Sequence, residues 1–212
     1  MALVRQRQAR DDDSIGVLED RALRQRLTRL CDTTDSRVSI GVLLKGAAAQ
    51  SLGARAEGIG RSSRIVMTER LVSYLSHDEI AAVVAHELGH HHLAHRTKYY
   101  GLCLGLAMIG AIAGGGALEM MLGHPIAALA LVYLGHELFA WPVSIGLNAL
   151  RRRYEYQADA FAIRQVGAPA LLDALRDLQV AGPHRAGLHP WYHWFYATHP
   201  ADDRRLAVIA AA

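Results

Sequence analysis

Residues 99–118 read YYGLCLGLAMIGAIAGGGAL, twenty positions without a charge. A helix of that length spans about 30 Å, the hydrocarbon thickness of a bilayer. After a short connection, EMMLGHP, a second apolar run covers 126–150, interrupted by His136-Glu137 and Pro142. The two runs predict a helical hairpin that passes through or into a membrane. The alternative is a hairpin buried in a soluble helical domain, and a polar pair in mid-segment, costly in lipid, favours it. The Gly114-Gly115-Gly116 run favours the membrane, where glycine is tolerated better than in a soluble helix. Arg96 and Lys98 precede the hairpin, Arg151, Arg152 and Arg153 follow it, and the connection has neither Lys nor Arg. By the bias of basic residues toward the cytoplasm, both ends of the hairpin and the chain attached to them face that side.

Composition narrows the classes. The chain has 212 residues, 51% of them hydrophobic, and a net charge of +3. That length suffices for one domain with a core, or a smaller domain plus membrane helices. Lys and Arg form no long stripe, so nucleic acid is not an expected partner. The two cysteines, Cys31 and Cys103, are far apart, which argues against a disulfide framework and fits a reducing compartment. The first sixteen residues are polar, with no apolar core of a secretory signal.

Local patterns supply the remaining elements. VLEDRALRQRLTRLCD places Leu18, Leu23, Leu27 and Leu30 among charges and predicts an amphipathic helix. RVSIGVLL predicts a strand, GARAEGIGRSSRIVMT two short strands about a Gly/Ser turn, and ERLVSYL a short helix. Ser76-His77-Asp78-Glu79 is a capping box, in which each side chain satisfies an orphan amide at a helix start. A helix over about 77–95 follows. Further helices are expected over RRRYEYQADAFAIRQVG, ended by Gly167 and Pro169, over ALLDALRDLQV, stopped by Gly182-Pro183, and over ADDRRLAVIAAA, with HPWYHWFYATHP as an aromatic loop.

The helix begun at Ser76 carries His86-Glu87-Leu88-Gly89-His90. Positions i and i+4 share a helix face, so both imidazoles reach one ion, and zinc accepts neutral imidazole nitrogens while a catalytic site keeps a place for water. Glu87 stands beside that place and can take a proton. A third ligand must come from elsewhere. A histidine six residues beyond His90 would make one zinc class, but Arg96 stands there and His95 is out of register. Glu155-Tyr156-Gln157-Ala158-Asp159 supplies two acids at i and i+4 on a later helix. Glu155 can bind zinc, and Asp159 can accept a hydrogen bond from the far nitrogen of a ligating histidine. The plainer reading of these acids is a solvated face balanced by Arg152 and Arg153; beside a capped H-E-x-x-H helix it loses ground. With the ligands counted, His91, His92 and His95 are accessory. His124 and His136 read as polar contacts of the hairpin.

HELGH, then an apolar hairpin, then RRRYEYQADAFA, resembles the membrane-embedded zinc peptidases of the CaaX prenyl protease 1 type. GIGRSSRIVMTERLVSYLSHDEIAAVVAHELGHHHLAH upstream and GLHPWYHWFYATHPADDRRLAVI downstream extend the likeness to about residues 50–212. The resemblance implies Glu155 as third zinc ligand, Asp159 behind a ligand histidine, and Arg152 as a match to the family's arginine in that motif. It implies His199, of His199-Pro200, as a histidine near the active site that could steady an oxyanion; Arg205 matches the arginine that follows. Family members carry Asn-Ala on the strand that lines the substrate, where this chain has Gly53-Ala54, and a second proline where it has Ala201. They also carry several transmembrane helices before this region, and none is expected here.

The expected fold is α+β, predominantly α: a zincin-like catalytic domain with a small sheet and an inserted hydrophobic hairpin. Residues 1–98 hold the first helix, the sheet and the H-E-x-x-H helix; 99–150 the hairpin; 151–212 the third-ligand helix and the closing helices of the same peptidase domain. The expected function is zinc-dependent cleavage of peptide bonds in membrane-associated or unfolded proteins, prenylated CaaX-like substrates among them. One zinc per chain is held by His86, His90 and Glu155, with Glu87 as base, His199 as oxyanion aid, and Gly53 and Ala54 beside the substrate. A peptide or protein substrate and the lipid membrane are the partners, in the cytoplasmic membrane with the active site toward the cytoplasm; the oligomeric state is open. A zinc-binding membrane scaffold without turnover and a broad quality-control protease of membrane proteins are the alternatives. Trp191, Tyr192, Trp194, Phe195 and Tyr196 read either as a substrate groove or as an aromatic belt at the membrane interface.

Overall fold

In the computed structural model the described residues are 15–34, 36, 38–43, 51–58, 63–120, 123–181 and 189–212. The expected polar tail before residue 15, the Gly/Ser turn at 59–62 and the stop at Gly182-Pro183 lie outside them. The order is β1 (Ile15–Gly16), α1 (Arg21–Thr33), β2 (Ser39–Leu43), β3 (Ala54–Glu57), β4 (Arg64–Thr68), α2 (Glu69–Tyr74), α3 (His77–His92), α4 (His95–Met120), α5 (Pro125–Val166), α6 (Ala168–Ala181), α7 (Pro190–Phe195) and α8 (Asp202–Ala210). The fold is predominantly α with one small mixed sheet, as the sequence predicts.

The described residues group into two compact units. The first takes its residues from Met1–Leu93, Glu155–Ala186 and Ala201–Ala212; the second from Ala94–Tyr154 and Gly187–Pro200. The segment around α7 thus groups with the hairpin helices, whereas the sequence assigns it to the peptidase domain.

The core of the first unit explains why its elements form. Leu23, Leu27, Leu30 and Cys31 line one face of α1 and are buried. Ile65, Val66 and Met67 of β4 are buried in succession, as a central strand requires. The sheet runs β1-β2-β4-β3, with β2 and β4 parallel and the other pairs antiparallel. Among the described residues that order leaves β3 at an edge. α3 starts at the expected capping box: Ser76 N–H donates to Glu79, 2.6 Å away, and Glu79 N–H to the Ser76 hydroxyl. Ile80, Ala81, Val84, Ala85 and Leu88 bury the other face of α3. Both cysteines are free.

Three boundaries differ from expectation. α3 ends at His92, not 95, because Ala94 adopts φ +54, which breaks the helix before α4 begins at His95. The second hairpin arm and the third-ligand helix are one element: α5 runs for 42 residues through Pro142 and past Leu150. HPWYHWFYATHP is not a loop, since α7 forms within it, with His189 as its cap and Pro190 in its first turn.

α4 and α5 are long and apolar enough to cross a membrane. Leu104, Met108, Ile109 and Ile112 on α4, and Ile126, Leu138 and Phe139 on α5, are exposed. Water is a poor partner for so much apolar surface.

Candidate metal centre

α3 and the last part of α5, both within the first unit, bring the expected ligands together. His86 and His90 lie one turn apart on α3, and Glu155 on the last part of α5 faces them. His86 Nε2 and His90 Nε2 are 3.2 Å apart. Glu155 Oε2 is 3.6 Å from the first and Oε1 is 3.5 Å from the second. An ion bonded tetrahedrally at about 2.0–2.1 Å holds its donor atoms about 3.3–3.4 Å apart. The separations here, measured to the two different oxygens of Glu155, lie on either side of that spacing, and one donor atom from each residue falls within 4.8 Å of the others, so the donor set suits zinc in chemistry and comes close to it in size. Among the described residues this is the group that could hold a metal ion.

The close approach of the helices depends on Gly89. A Cβ there would stand 3.1 Å from Ala158 Cα and from Phe161 Cβ, and 3.3 Å from the Ala158 carbonyl oxygen. Ala158 lies between Glu155 and Asp159 on the same helix face and is fully buried. The missing side chain thus sets the distance between the two halves of the ligand set.

Behind the ligands lies a second line of contacts. His86 Nδ1–H donates to Asp159 Oδ1 at 2.9 Å, which turns Nε2 toward the other two donors. Arg205, on α8, grips the same carboxylate with two prongs: Nε to Oδ2 at 2.9 Å and Nη2 to Oδ1 at 2.6 Å. Its Nη1 lies 3.9 Å from Glu155. Asp159 is buried, which opposes its charge, but hydrogen bonds from His86 and Arg205 outweigh burial and hold its carboxyl below its ordinary value. The sequence matched Arg205 to a family position without giving it this role. A signal was present: Arg205 and buried Ile209 are four residues apart on α8, and an arginine on the buried face of a helix needs a carboxylate.

Burial also opposes a charge on His86, but the carboxylates of Asp159 and Glu155 prevail and raise its pKa from 6.5 to about 9. A metal must therefore displace a proton at neutral pH. The sign follows: the proton competes below the raised pKa and is lost above it. Apparent zinc affinity is expected to climb by up to about tenfold per pH unit between 6.5 and 9. Competition with a chromogenic chelator measures this, and an affinity independent of pH would contradict it.

Glu87 follows His86 and is half-buried. Its Oε2 accepts the Ala56 N–H of edge strand β3 at 3.1 Å. The pairing of β3 with β4 matches Arg55 to Val66 and Glu57 to Arg64. Gly53 is tied to Thr68 through both its N–H and its carbonyl. The alternation puts the backbone groups of Ala54 and Ala56 on the side away from β4.

Two expected site residues belong to the second unit. Arg152 Nη1 donates to the carbonyls of His193 and Ala197, at 3.3 and 2.7 Å, and Nη2 to that of Trp194 at 3.3 Å. These are carbonyls at the end of α7 and just after it. His199 is exposed.

Comparison with known proteins agrees with this geometry. The sequence profile of peptidase family M48 matches residues 19–212. A CAAX prenyl protease 1 homolog of Arabidopsis thaliana is 29% identical over 207 residues, which are 91% of this chain and 48% of that protein. A protease HtpX homolog of Aeropyrum pernix is 35% identical over 140 residues, 59% of this chain and 42% of that protein. The chain thus spans about half, or less, of the length of these relatives. The crystal structure of Ste24p from S. mikatae superposes with a TM-score of 0.79 at 23% identity, over 93% of this chain and 52% of that one. The likeness to that structure is one of fold.

Proposed function

The chain belongs to peptidase family M48, and on that footing we propose that it is a zinc-dependent endopeptidase acting on membrane-associated or unfolded polypeptides. The observation that carries this is the cluster of His86, His90 and Glu155 donor atoms, with Glu87 next to His86 on the same helix. A structural zinc site has no use for an adjacent base and usually fills its fourth position, which speaks against a scaffold without turnover.

His86, His90 and Glu155 would hold the zinc, which when bound would supply a Lewis acid able to polarise a carbonyl and acidify a water. Glu87 takes the proton of the attacking water and later delivers it to the leaving amine. Asp159 keeps His86 in one tautomer, and Arg205 keeps Asp159 ionised and aimed. The side of β3 that faces away from β4, at Ala54 and Ala56, is suited to pair with an extended substrate, which would lie as an added strand. A substrate carbonyl taking the Ala56 N–H would release that bond from Glu87. His199 is the candidate to steady the oxyanion, and Arg152 holds the segment that leads to it.

α4 and the apolar part of α5 are membrane-crossing helices in this reading, with the flanking arginines on the cytoplasmic side. The name of the CAAX prenyl protease 1 relative suggests prenylated CaaX-like peptides as one substrate class.

The test uses the full chain purified in detergent. It is expected to bind one zinc per chain, to cleave a quenched casein-like peptide, to stop with a chelator and to recover with added zinc. A prenylated peptide compared with its unprenylated twin then reports on the finer substrate class. Zinc-loaded protein inert toward both peptides would sink the assignment.

A further inference from the structure

α7 and the residue after it carry four exposed aromatic rings in six positions: Trp191, Tyr192, Trp194 and Tyr196 are 64, 48, 57 and 56% exposed. Six residues of helix in water do not hold such rings in place, yet α7 is fixed firmly. Phe195 turns inward and stacks on Trp141 of α5, with ring centres 5.2 Å apart and planes at 14°. Asn148 Nδ2 donates to the Phe195 carbonyl at 3.0 Å. Arg152 caps the end of the segment with its three carbonyl contacts. The end of α7 and the residues just after it are thus held to α5 by side chains from Trp141 to Arg152, a stretch of α5 about 16 Å long.

That stretch of α5 is where its apolar run ends and its basic run begins. Arg151 and Arg153 are exposed beside Arg152, and Arg151 lies 5.4 Å from the ring of Tyr99, at the start of the apolar part of α4. Tryptophan and tyrosine have an apolar body and a polar tip, and they settle at the headgroup level of a bilayer. Exposed arginines at the same level complement anionic headgroups.

We propose that α7 is an interfacial anchor, with Trp191, Tyr192, Trp194 and Tyr196 seated in the headgroup region of an anionic bilayer at the depth where α5 leaves the hydrocarbon. The inference rests on the reading of α4 and α5 as membrane helices and adds a third contact with lipid. Arg152 is its positioning residue: it holds the aromatic segment at that depth through backbone carbonyls.

The test reconstitutes the full chain in vesicles of phosphatidylcholine and phosphatidylglycerol. Pairwise Trp→Phe replacement leaves Trp141, Trp191 or Trp194 alone. Each is quenched with lipids brominated near the headgroup or near the chain end, and with aqueous acrylamide. Trp191 and Trp194 are expected to be quenched about twofold more by the shallow bromine than by the deep one and to be shielded from acrylamide. Arg152→Gln is expected to abolish the shallow quenching of Trp191 and Trp194 while Trp141 keeps its lipid signal. If Trp141 is quenched by lipid but Trp191 and Trp194 respond only to acrylamide, α7 lies in water and the proposal is wrong. If those two escape both quenchers but shift their emission when peptide is added, they line a peptide groove instead. If Trp141 also escapes the brominated lipids, the membrane reading fails and takes the anchor with it.

Discussion

Glu87→Gln is expected to keep zinc and fold while cutting the turnover rate by about 10³-fold, or about 4 kcal/mol of barrier. The substitution keeps shape and one carbonyl oxygen, so the 3.1 Å bond from Ala56 N–H can persist. It removes only the capacity to accept a proton. None of the three donor atoms belongs to Glu87, so zinc content should match the wild type. Changing Glu155 to Gln weakens a ligand and should lower zinc content and rate together. Measuring zinc by mass spectrometry and kcat on one peptide separates the two. A Glu87→Gln protein within about tenfold of wild type would assign the base to another group. Loss of zinc from it would make Glu87 a structural residue.

The parts of this site legible in the sequence are the local ones. The capping box fixes where α3 starts, and spacing within one helix places His86 with His90 and Glu155 with Asp159. What joins the two pairs is not local. Arg205 meets Asp159 across 46 residues, and Ala56 meets Glu87 across 31 through a backbone amide that no side chain advertises. The continuity of α5 was also hidden. The change from apolar to charged residues at Arg151 alters what surrounds the helix, but Leu150 and Arg151 are both good helix formers and nothing there interrupts the backbone ladder. α7 was obscured by composition: Pro190 reads as a breaker in a loop, yet at the first turn of a helix its fixed φ is an asset. Ala94 gave no warning at all, since a positive φ is normally announced by glycine or asparagine.

Gly89→Val is expected to cost about 1–3 kcal/mol of stability and at least about tenfold in zinc affinity. The reason is where the clash falls. A Cβ at 89 meets Ala158 and Phe161 at 3.1 Å, and part of that contact is backbone, so no rotamer change relieves it. α5 must move, and Glu155 and Asp159 move with it as parts of one rigid helix. Gly89→Ala tests the balance of two opposing effects. Alanine gains up to about 1 kcal/mol in helix propensity over glycine, against a shift of a few tenths of an ångström in its neighbours. Its stability should stay near that of the wild type while zinc binds more weakly, because metal affinity responds to ligand spacing and propensity does not. Gly105→Ala on α4 serves as the control, since a Cβ there meets nothing within 4 Å. Chemical denaturation and chelator competition on the three variants read both quantities. Unchanged zinc affinity in Gly89→Val would mean that the α3–α5 spacing does not set the metal site. A matching loss in Gly105→Ala would mean that the effect is not local to the ligands.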